Sequence, residues 1–358
     1  MKLLALLGYP RTNGHTADMT DLFLQGAATA GAHITRVHLP TTDIKPCLGC
    51  FACWTKTPGE CVQHDAMSPL IQQFLHADLV LIASPVYAFS VSASAKIFME
   101  RTLTILRPGA EVGPDGIERN RWRYPGLGPK RMAGLLVAGK LTPGISQPAI
   151  DTLRLYAQEM RMSCSGILVR PESCALRFPQ AKPLKMRAIR TACERAGAAF
   201  VRENTIPDEY LQAFSGPLLA DLEHFVRYSL VFWEHALACH DESAEAGMHA
   251  GDDVRILMYE MARNINPVAT RRIEACIQFA FPDRGWQYVL HIQQGTCTIT
   301  EGTTDTPDLL IRCPADLWSA VIQRTITGSQ LATHPDLYVD GDRNLFQSLP
   351  RYFPPPAE

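Results

Sequence analysis

The sequence predicts a doubly wound parallel α/β domain followed by a smaller α+β domain. Short, wholly apolar runs, such as residues 3–7 and 79–83, are typical of strands buried on both faces of a parallel sheet. Segments with helical spacing alternate with these runs, which favours parallel strands joined by right-handed crossovers. With 358 residues, the chain is also longer than a single core usually accommodates.

Five strands are predicted in the first domain, at residues 3–7, 34–39, 79–83, 132–138 and 165–169. Helices are predicted at residues 17–28, 67–76, 92–104, 147–161 and 183–202, where apolar side chains recur with helical spacing. Residues 108–130 are rich in glycine, proline and charge. They are predicted to form a long loop, which in a compact domain usually has a function.

The second half of the chain has a different order of elements. Residues 206–239 have the pattern of one or two amphipathic helices, and the small, acidic stretch 240–253 is the predicted domain boundary. A helix at 254–272 precedes strands at 274–281, 286–293, 296–301 and 308–313, a helix at 315–325, a strand at 336–339 and a helix at 344–349. Gln294-Gly295 predicts a hairpin turn. We therefore predict a first domain at 1–205, a helical extension and linker at 206–245, and an α+β domain at 246–352.

Composition excludes several classes of function. The formal net charge is −2 and no basic run is interleaved with aromatic residues, so we expect no nucleic-acid partner. The apolar start resembles a signal peptide but stops at Gly8 and is followed by Pro10 and Arg11, so we interpret it as a strand. No apolar stretch approaches the roughly 20 residues of a membrane-spanning helix. We expect a cytoplasmic homo-oligomer, whose cysteines are thiols or metal ligands and not disulfides.

The segment 8–16, Gly-Tyr-Pro-Arg-Thr-Asn-Gly-His-Thr, connects a buried strand to a helix. Backbone N–H groups and the helix dipole favour an anion at such a helix start, and Arg11 adds a planar fork suited to phosphate oxygens. The spacing matches neither the dinucleotide fingerprint nor the nucleoside triphosphate loop, so the phosphate of FMN fits better. Ligands of such sheets lie beyond the carboxyl ends of the strands. Ser84-Pro85 and Ala138-Gly139 are predicted to share this edge.

Two motifs together resemble the flavodoxin-like NAD(P)H-dependent FMN reductases. They are the segment 8–16 and the run Ser84-Pro85-Val86-Tyr87-Ala88-Phe89-Ser90-Val91-Ser92-Ala93, followed by Lys96 and Glu100-Arg101. The resemblance covers about the first 205 residues and implies a flavodoxin-like sheet of strand order 2-1-3-4-5. It also implies that the FMN-binding residues are Arg11, Thr12, Asn13, Gly14 and Thr16 around the phosphate, and Pro85, Val86, Tyr87, Ala88 and Phe89 along the ring.

Several further residues bear on the resemblance, and some of them have a second interpretation. Gly139 would let the flavin ring or a nicotinamide approach the backbone closely. Tyr9 and His15 stand where the family commonly has serine and asparagine, so phosphate contacts are not expected from them. Tyr87 and Phe89 would otherwise be core residues, and Lys96 is either a solvated helix lysine or a cofactor contact. We assign no catalytic residue, because the flavin itself carries the hydride chemistry.

Four of the eleven cysteines, Cys47, Cys50, Cys53 and Cys61, lie within fifteen residues. Ligands at i, i+3 and i+6 with a fourth after a short loop can hold one polynuclear cluster, whereas structural zinc usually takes two separate pairs. Free or redox-active thiols are the third interpretation. The run resembles the compact cysteine motif of iron-sulfur flavoproteins, which implies a 4Fe-4S cluster near the flavin. Asp65, shortly after Cys61, is expected to cap the next helix or line the loop.

Residues 246–352 resemble the sterol carrier protein type 2-like module. The resemblance depends on the order of helix and meander, on Pro307-Asp308-Leu309-Leu310-Ile311-Arg312 before Asp316-Leu317-Trp318, and on Tyr338-Val339-Asp340-Gly341-Asp342. It implies an apolar tunnel that holds a lipid or another hydrophobic ligand. The alternative is a filled core that serves only dimerisation or solubility.

Three functions remain open on the sequence. The first is an FMN oxidoreductase that transfers electrons between NAD(P)H or a small redox protein and an acceptor, through the flavin and a 4Fe-4S cluster. The second is a cluster-free NAD(P)H:quinone or flavin reductase with structural cysteines. The third is a lipid-binding carrier whose flavodoxin-like part is a redox sensor. The colour of anaerobically purified protein separates them, because a cluster is brown, flavin alone is yellow, and a carrier that retains lipid is colourless.

Overall fold

The computed structural model describes residues 1–113, 115–142, 144–177, 183–219, 221–239 and 253–354. The chain divides into two compact units, Met1–Ala220 and Asp221–Glu358, and each is described by itself. The predicted boundary at 240–253 lies outside the described residues except for Asp253. None of the described helices is long and apolar enough to cross a membrane.

The first unit is an alternating α/β structure. It contains, in chain order, β1 (Lys2–Leu7), α1 (His15–Thr29), β2 (His33–His38), α2 (Ala52–Thr55), α3 (Met67–Leu75), β3 (Leu79–Pro85), α4 (Ala93–Arg101), β4 (Leu106–Val112), β5 (Glu118–Trp122), β6 (Arg131–Val137), α5 (Gln147–Glu159), β7 (Ser163–Arg170), α6 (Pro183–Arg202) and α7 (Asp208–Ser215). Five strands pair in parallel in the order β2-β1-β3-β6-β7. This is the predicted 2-1-3-4-5 order, and the flavodoxin-like fold is confirmed.

The apolar runs of the sequence occupy the middle of this sheet. Every residue of β3 is buried, as is all of β1 except Lys2. Helices α3, α4 and α5 contribute Phe74, Phe98 and Leu153 to one core cluster with these strands. Helix α1 packs against α6, with the rings of Phe23 and Phe200 centred 5.9 Å apart. Strands covered in this way by helices need apolar side chains on both faces.

Glycines allow α1 and α6 to approach each other closely. A Cβ added at Gly26 would lie 1.8 Å from the carbonyl oxygen of Glu194, and one at Gly197 would lie 1.9 Å from that of Phe23. The helices would have to separate to admit either methyl group. We expect Gly26→Ala to lower the free energy of unfolding by about 1–3 kcal/mol, measured by urea denaturation. Gly328→Ala, which meets no atom within 4 Å, should change it by less than about 0.5 kcal/mol.

The predicted long loop at 108–130 was wrong in part, because much of it is an antiparallel ribbon. Strands β4 and β5 pair from Leu106↔Trp122 to Val112↔Glu118, with a register shift between Arg107 and Ala110. All of β4 after Leu106 is exposed, so the ribbon lacks the apolar alternation from which half-buried strands are recognised. Gly109, at the shift, has a φ of +81°, which glycine adopts without strain.

The second unit is an α+β structure. Its elements are α8 (Leu222–Cys239), α9 (Val254–Arg263), β8 (Glu274–Phe281), β9 (Trp286–Gln293), β10 (Thr296–Glu301), β11 (Leu309–Arg312), α10 (Ala315–Ile322), α11 (Gly328–Ala332), β12 (Tyr338–Gly341) and α12 (Arg343–Tyr352). The sheet order is β10-β9-β8-β11-β12, and all neighbours are antiparallel except β8 and β11. The core between sheet and helices includes Met258, Phe279 and Trp318.

Two local predictions in this unit had different outcomes. The hairpin turn at Gln294-Gly295 is confirmed, with φ angles of 49° and 85° that fit the type I′ turn of tight hairpins. The helix predicted at 254–272 was wrong in its length and ends at Arg263. Pro267 lacks an N–H donor and cannot continue a helix. The side chain of Asn266 instead accepts hydrogen bonds from the N–H groups of Val268 and Ala269.

Candidate functional site

A cleft of about 400 Å³ lies at the carboxyl ends of β1, β3 and β6. It is lined by Tyr9, Pro10, Arg11, Gly14, His15, Thr16, Pro85, Val86, Tyr87, Ala88, Phe89, Val137, Ala138, Gly139, Lys140, Ile145 and Ser173. Nine of the eleven predicted FMN-binding residues are therefore brought together, and the volume is in the range of small-molecule sites. The other two, Thr12 and Asn13, are exposed residues of the same loop and are not part of the lining.

One end of the cleft is the start of α1. Gly14 is the N-cap residue and provides no side-chain hydrogen bond to the first turn of the helix. A Cβ at Gly14 would come no closer than 3.6 Å to another atom, the Cβ of Arg11. Thr16 is buried and lines the cleft in the first turn. Backbone N–H groups at a helix start whose N-cap residue has no side chain to cap them, together with the helix dipole, favour an anionic ligand here.

Gly8 joins this loop to the neighbouring strand end. Its N–H donates to the carbonyl oxygen of Ala83 at 2.8 Å, and its carbonyl oxygen accepts from the hydroxyl of Ser94 at 3.2 Å. A Cβ at Gly8 would lie 2.8 Å from Ser92 Oγ and 3.0 Å from Ala95 Cβ. Only glycine fits this close approach, so Gly8 holds the two loops of the cleft in contact. It was not among the predicted site residues.

A tight turn also lines the cleft. Tyr87 and Ser90 exchange two backbone hydrogen bonds of 3.0 Å, and the residues between them, Ala88 and Phe89, have φ angles of 45° and 67°. This left-handed conformation costs a residue other than glycine roughly 1–2 kcal/mol, and such strain is typically found at functional sites. Tyr87 and Phe89 are 48% and 54% exposed. They are therefore cleft walls and not core residues.

Buried hydrogen bonds hold this turn. The hydroxyl of Ser84, which is fully buried, donates to the carbonyl oxygen of Pro85 at 2.8 Å and accepts from the N–H of Ser92 at 2.8 Å. The N–H of Val86 donates to the carbonyl oxygen of Val137 at 2.8 Å. The turn is thus tied to α4 and to β6. Ser84 belongs to the second motif, but its role in holding the turn was not predicted.

Three further residues considered in the sequence analysis, Gly139, Tyr9 and Lys96, differ in their surroundings. Gly139 faces open space, since a Cβ there would meet only Ser173 Oγ at 3.9 Å. Tyr9 is buried, with its ring packed edge-on against His38. Burial, and then the nearby carboxylate of Asp21, raise the pKa of Tyr9 to about 12, so it stays a neutral phenol at pH 7. Lys96 pairs with Glu100 at 2.7 Å on the exposed face of α4, as a solvated helix lysine would.

The four clustered cysteines differ in exposure. Cys53 is buried in α2, Cys50 is exposed, and Cys47 and Cys61 are half-buried. Burial raises the pKa of Cys53, and the neighbouring thiols of Cys61, Cys47 and Cys50 raise it further. The N–H of Gly49 donates to Cys47 Sγ at 3.5 Å. The described part of the chain contains no group of three His, Cys, Asp or Glu side chains already gathered around a metal position. Four thiols that influence one another electrostatically nevertheless fit an iron-sulfur cluster in donor type and number.

Asp65 and Arg101 form a buried ion pair next to these cysteines. Their side chains are 0% and 1% exposed, and the guanidinium makes two hydrogen bonds to the carboxylate, at 2.7 and 3.0 Å. Asp65 also accepts from the N–H of Met67, at the start of α3, as predicted. Burial raises the pKa of Asp65, but the hydrogen bonds from Arg101 and from two backbone N–H groups outweigh it and hold the pKa at about 2.

Two family models match the chain. Residues 1–114 match the NADPH-dependent FMN reductase family, and residues 257–354 match the SCP-2 sterol transfer family. The resemblance to the FMN reductases is confirmed for residues 1–114 of the 205 that it was expected to cover, and the resemblance to the sterol carrier module is confirmed for residues 257–354.

The curated relatives match the first part of the chain. An iron-sulfur flavoprotein of Archaeoglobus fulgidus is 39% identical over 103 residues, which are 29% of this chain and 46% of the relative. An iron-sulfur flavoprotein of Methanocaldococcus jannaschii is 31% identical over 102 residues, or 28% and 52% of the two chains. The matched part thus spans about half the length of these relatives.

Two solved structures that match this chain have lower sequence identities to it than these relatives. An FMN-dependent NADH-azoreductase from Bacillus anthracis in complex with FMN is 15% identical, with a TM-score of 0.43 over 56% of this chain and 99% of that one. An NAD(P)H:quinone oxidoreductase from Methanothermobacter marburgensis is 12% identical, with a TM-score of 0.42 over 56% of this chain and 96% of that one.

Proposed function

We propose that this chain is an FMN-dependent NAD(P)H oxidoreductase. In this proposal the flavin binds in the cleft of the first unit, and Cys47, Cys50, Cys53 and Cys61 hold a 4Fe-4S cluster. The observation that carries the proposal is the cleft itself, which joins a helix start without a side-chain cap to a strained aromatic turn in one space of about 400 Å³. The match of residues 1–114 to the FMN reductase family supports the choice of FMN.

Each wall of the cleft has a separate role in this proposal. The N–H groups of the first turn of α1, the hydroxyl of Thr16 and the guanidinium of Arg11 would hold the phosphate. Tyr87 and Phe89 would exclude water from the ring, and the backbone of the turn would meet its polar edge. The open space beside Gly139 would admit the nicotinamide of the donor. Bound FMN supplies the hydride-accepting chemistry, and the protein orients it.

Arg11→Ala tests the phosphate assignment. We expect the affinity for FMN to fall by about 10- to 100-fold, because a hydrogen bond to a charged group contributes about 1.5–3 kcal/mol. The affinity for riboflavin, which lacks the phosphate, should not change. Both constants can be measured by quenching of flavin fluorescence on titration with flavin-free protein.

Arg154→Ala is the matched control for that experiment, because Arg154 lies on α5 and is not part of the cleft lining. It should bind FMN like the wild type. Equal losses of FMN and riboflavin binding in Arg11→Ala would show that the substitution distorts the cleft. An unchanged FMN affinity would refute the phosphate assignment.

A cluster-free NAD(P)H:quinone or flavin reductase is the second candidate. Two observations favour it. The four thiols differ in exposure, and among the described residues no three His, Cys, Asp or Glu side chains are gathered around a metal position. The iron-sulfur flavoproteins among the relatives favour the first candidate. Iron and sulfide analysis of anaerobically purified protein separates the two. NAD(P)H is the donor in both, and a small redox protein is the alternative donor in the first.

For the second unit we propose a hydrophobic ligand, in line with its match to the SCP-2 sterol transfer family. Trp318 is 3% exposed, and its ring lies 4.8 Å from that of Phe279. Its indole Nε1–H is buried and has no hydrogen-bond partner among the described atoms. A polar atom of an otherwise apolar ligand would satisfy it. Because the two units belong to one chain, a ligand bound to the second unit would have a raised effective concentration at the flavin unit.

Trp318→Phe tests whether this ligand is an electron acceptor. Phenylalanine lacks the indole N–H, and the loss of one hydrogen bond to the ligand costs about 1 kcal/mol. We therefore expect the apparent KM for a lipophilic quinone to rise about fivefold. The KM for a water-soluble dye should not change. Steady-state assays at equal flavin content measure both. An equal rise for both acceptors would assign Trp318 a purely structural role.

A further inference from the structure

We propose that Arg101 is the positioning residue of the cysteine site: it closes the base of the cysteine segment, residues 46–64, and donates its Nε–H to the anionic cluster held there. The inference depends on the proposed 4Fe-4S cluster and adds a residue that is not a ligand. It follows from two observations: the hydrogen bonds of Arg101 Nη1 and Nη2 at the base of the segment, and the buried Nε, for which no acceptor is present among the described atoms.

Arg101 and Asp65 join the two ends of the cysteine segment. Arg101 Nη1 donates to the carbonyl oxygen of Lys45 at 2.6 Å and to Asp65 Oδ2 at 2.7 Å, and Nη2 donates to Asp65 Oδ1 at 3.0 Å. The N–H of Lys45 donates to Asp65 Oδ2 at 3.0 Å. Lys45 lies two residues before Cys47, and Asp65 lies four residues after Cys61. A single buried guanidinium therefore fixes where the loop that carries all four thiols begins and ends.

The third nitrogen of this guanidinium is buried without a partner. Arg101 is 2% exposed, and its Nε has no hydrogen-bond acceptor among the described atoms. A buried N–H of a charged group is almost always paired. Arg170, which is also fully buried, follows this rule: its Nε donates to the carbonyl oxygen of Pro171, its Nη1 to those of Phe214 and Gly216, and its Nη2 to Glu172. Arg101 differs in having one donor to spare.

The Arg101 guanidinium interacts electrostatically with two of the cysteines, Cys61 and Cys47. Burial lowers the pKa of Arg101, but Asp65 and the nearby thiols of Cys61 and Cys47 raise it more. Hydrogen bonds to cluster sulfurs stabilise the reduced, more negative state and so raise the reduction potential. Because Asp65 already balances the charge of Arg101, the N–H group itself is expected to produce this effect. Lysine has no such fork and no Nε–H.

Arg101→Lys tests the hydrogen bond, and Arg170→Lys is the matched control at a buried arginine away from the cysteines. The first measurement is the iron and sulfide content of each protein. The second is the midpoint potential of the cluster, by redox titration followed by EPR. We expect Arg101→Lys to make reduction at least tenfold less favourable, a shift of about 59 mV for a one-electron couple. Arg170→Lys should keep the wild-type potential, and a wild-type potential in Arg101→Lys would overturn the inference.

A measurement on the wild type keeps the inference testable if the variant does not fold. Reduced full-length protein labelled with ¹⁵N-arginine should show a hyperfine coupling from one arginine nitrogen to the cluster in pulsed EPR. Iron-replete protein without that coupling would overturn the inference while leaving the proposed function intact. Wild-type protein that binds no iron would overturn the proposed cluster and, with it, this role of Arg101.

Discussion

Replacing Asp65 with alanine should lower the free energy of unfolding by about 3–5 kcal/mol, because the Arg101 guanidinium would be left buried without its counter-charge. The same change removes the acceptor of the N–H groups of Lys45 and Met67. Both ends of the cysteine segment lose a hydrogen bond to Asp65, so we also expect the four thiols to be alkylated faster in the folded protein. Urea denaturation followed by circular dichroism, and mass spectrometry of alkylated cysteines, measure the two effects.

Asp21→Ala is the matched control for this prediction. Asp21 pairs with Arg36 on the surface, where the two side chains are 57% and 49% exposed. Exposed ion pairs contribute only about 0–1 kcal/mol. A loss of stability in Asp65→Ala no larger than in Asp21→Ala would contradict the role assigned to the buried pair.

The stability contributed by Asp65 also depends on pH. The pKa of its carboxyl is lowered from 3.8 to about 2 in the folded protein. The stability is therefore fully present above pH 4 and is lost as the pH falls towards 2, where the folded protein takes up the proton as well. At 1.36 kcal/mol per unit, the advantage of the wild type over Asp65→Asn should shrink by about 2 kcal/mol between pH 5 and pH 2. Unfolding curves of both proteins at several pH values provide the comparison.

Replacing Glu172 with alanine should have an effect of similar size, again about 3–5 kcal/mol. The carboxylate is fully buried and accepts from Arg170 Nη2 at 3.0 Å and from the N–H groups of Leu218 and Leu219 at 2.9 and 3.2 Å. The substitution leaves Arg170 buried without a counter-charge. The backbone on either side of Glu172 bonds to Ala138, a residue of the cleft lining. We therefore expect weaker FMN binding as well as lower stability.

Glu111→Ala provides the comparison for Glu172. Glu111 also pairs with an arginine, Arg161, but the two side chains are 45% and 42% exposed. Its loss should leave the free energy of unfolding and the FMN affinity nearly unchanged, because exposed ion pairs contribute little to stability. If Glu172→Ala behaved in the same way, the buried pair would not be what holds the end of β7.

The parts of the fold that follow from local pattern could be predicted from the sequence. The apolar runs 3–7 and 79–83, within β1 and β3, are the clearest strand signals in the chain, and their order with the helices predicts the sheet. Strand β4 is exposed after Leu106 and lacks apolar alternation, so the ribbon that it forms with β5 was predicted as a loop. The helical periodicity that predicted α9 continues in the sequence to residue 272, but the helix ends at Arg263 and Pro267 could not continue it.

The site was predictable only where a motif marks it. Arg11, Gly14, Thr16 and residues 85–89 meet in the cleft as the two motifs indicated. The left-handed turn could not be foreseen, because Ala88 and Phe89 are not residues that favour positive φ. The pair of Asp65 and Arg101 joins residues 36 positions apart in sequence. No local pattern encodes such a contact, so it follows only from the tertiary fold.

Cofactor analysis of full-length protein, purified without oxygen from cells with an intact iron-sulfur assembly system, tests whether one chain holds both a flavin and a cluster. We predict about one FMN, four iron and four sulfide per chain, as one flavin site and the 4Fe-4S formula require. Flavin with zinc, or flavin with four freely alkylated thiols at 47, 50, 53 and 61, would contradict the cluster, and protein without flavin would contradict the account of the cleft.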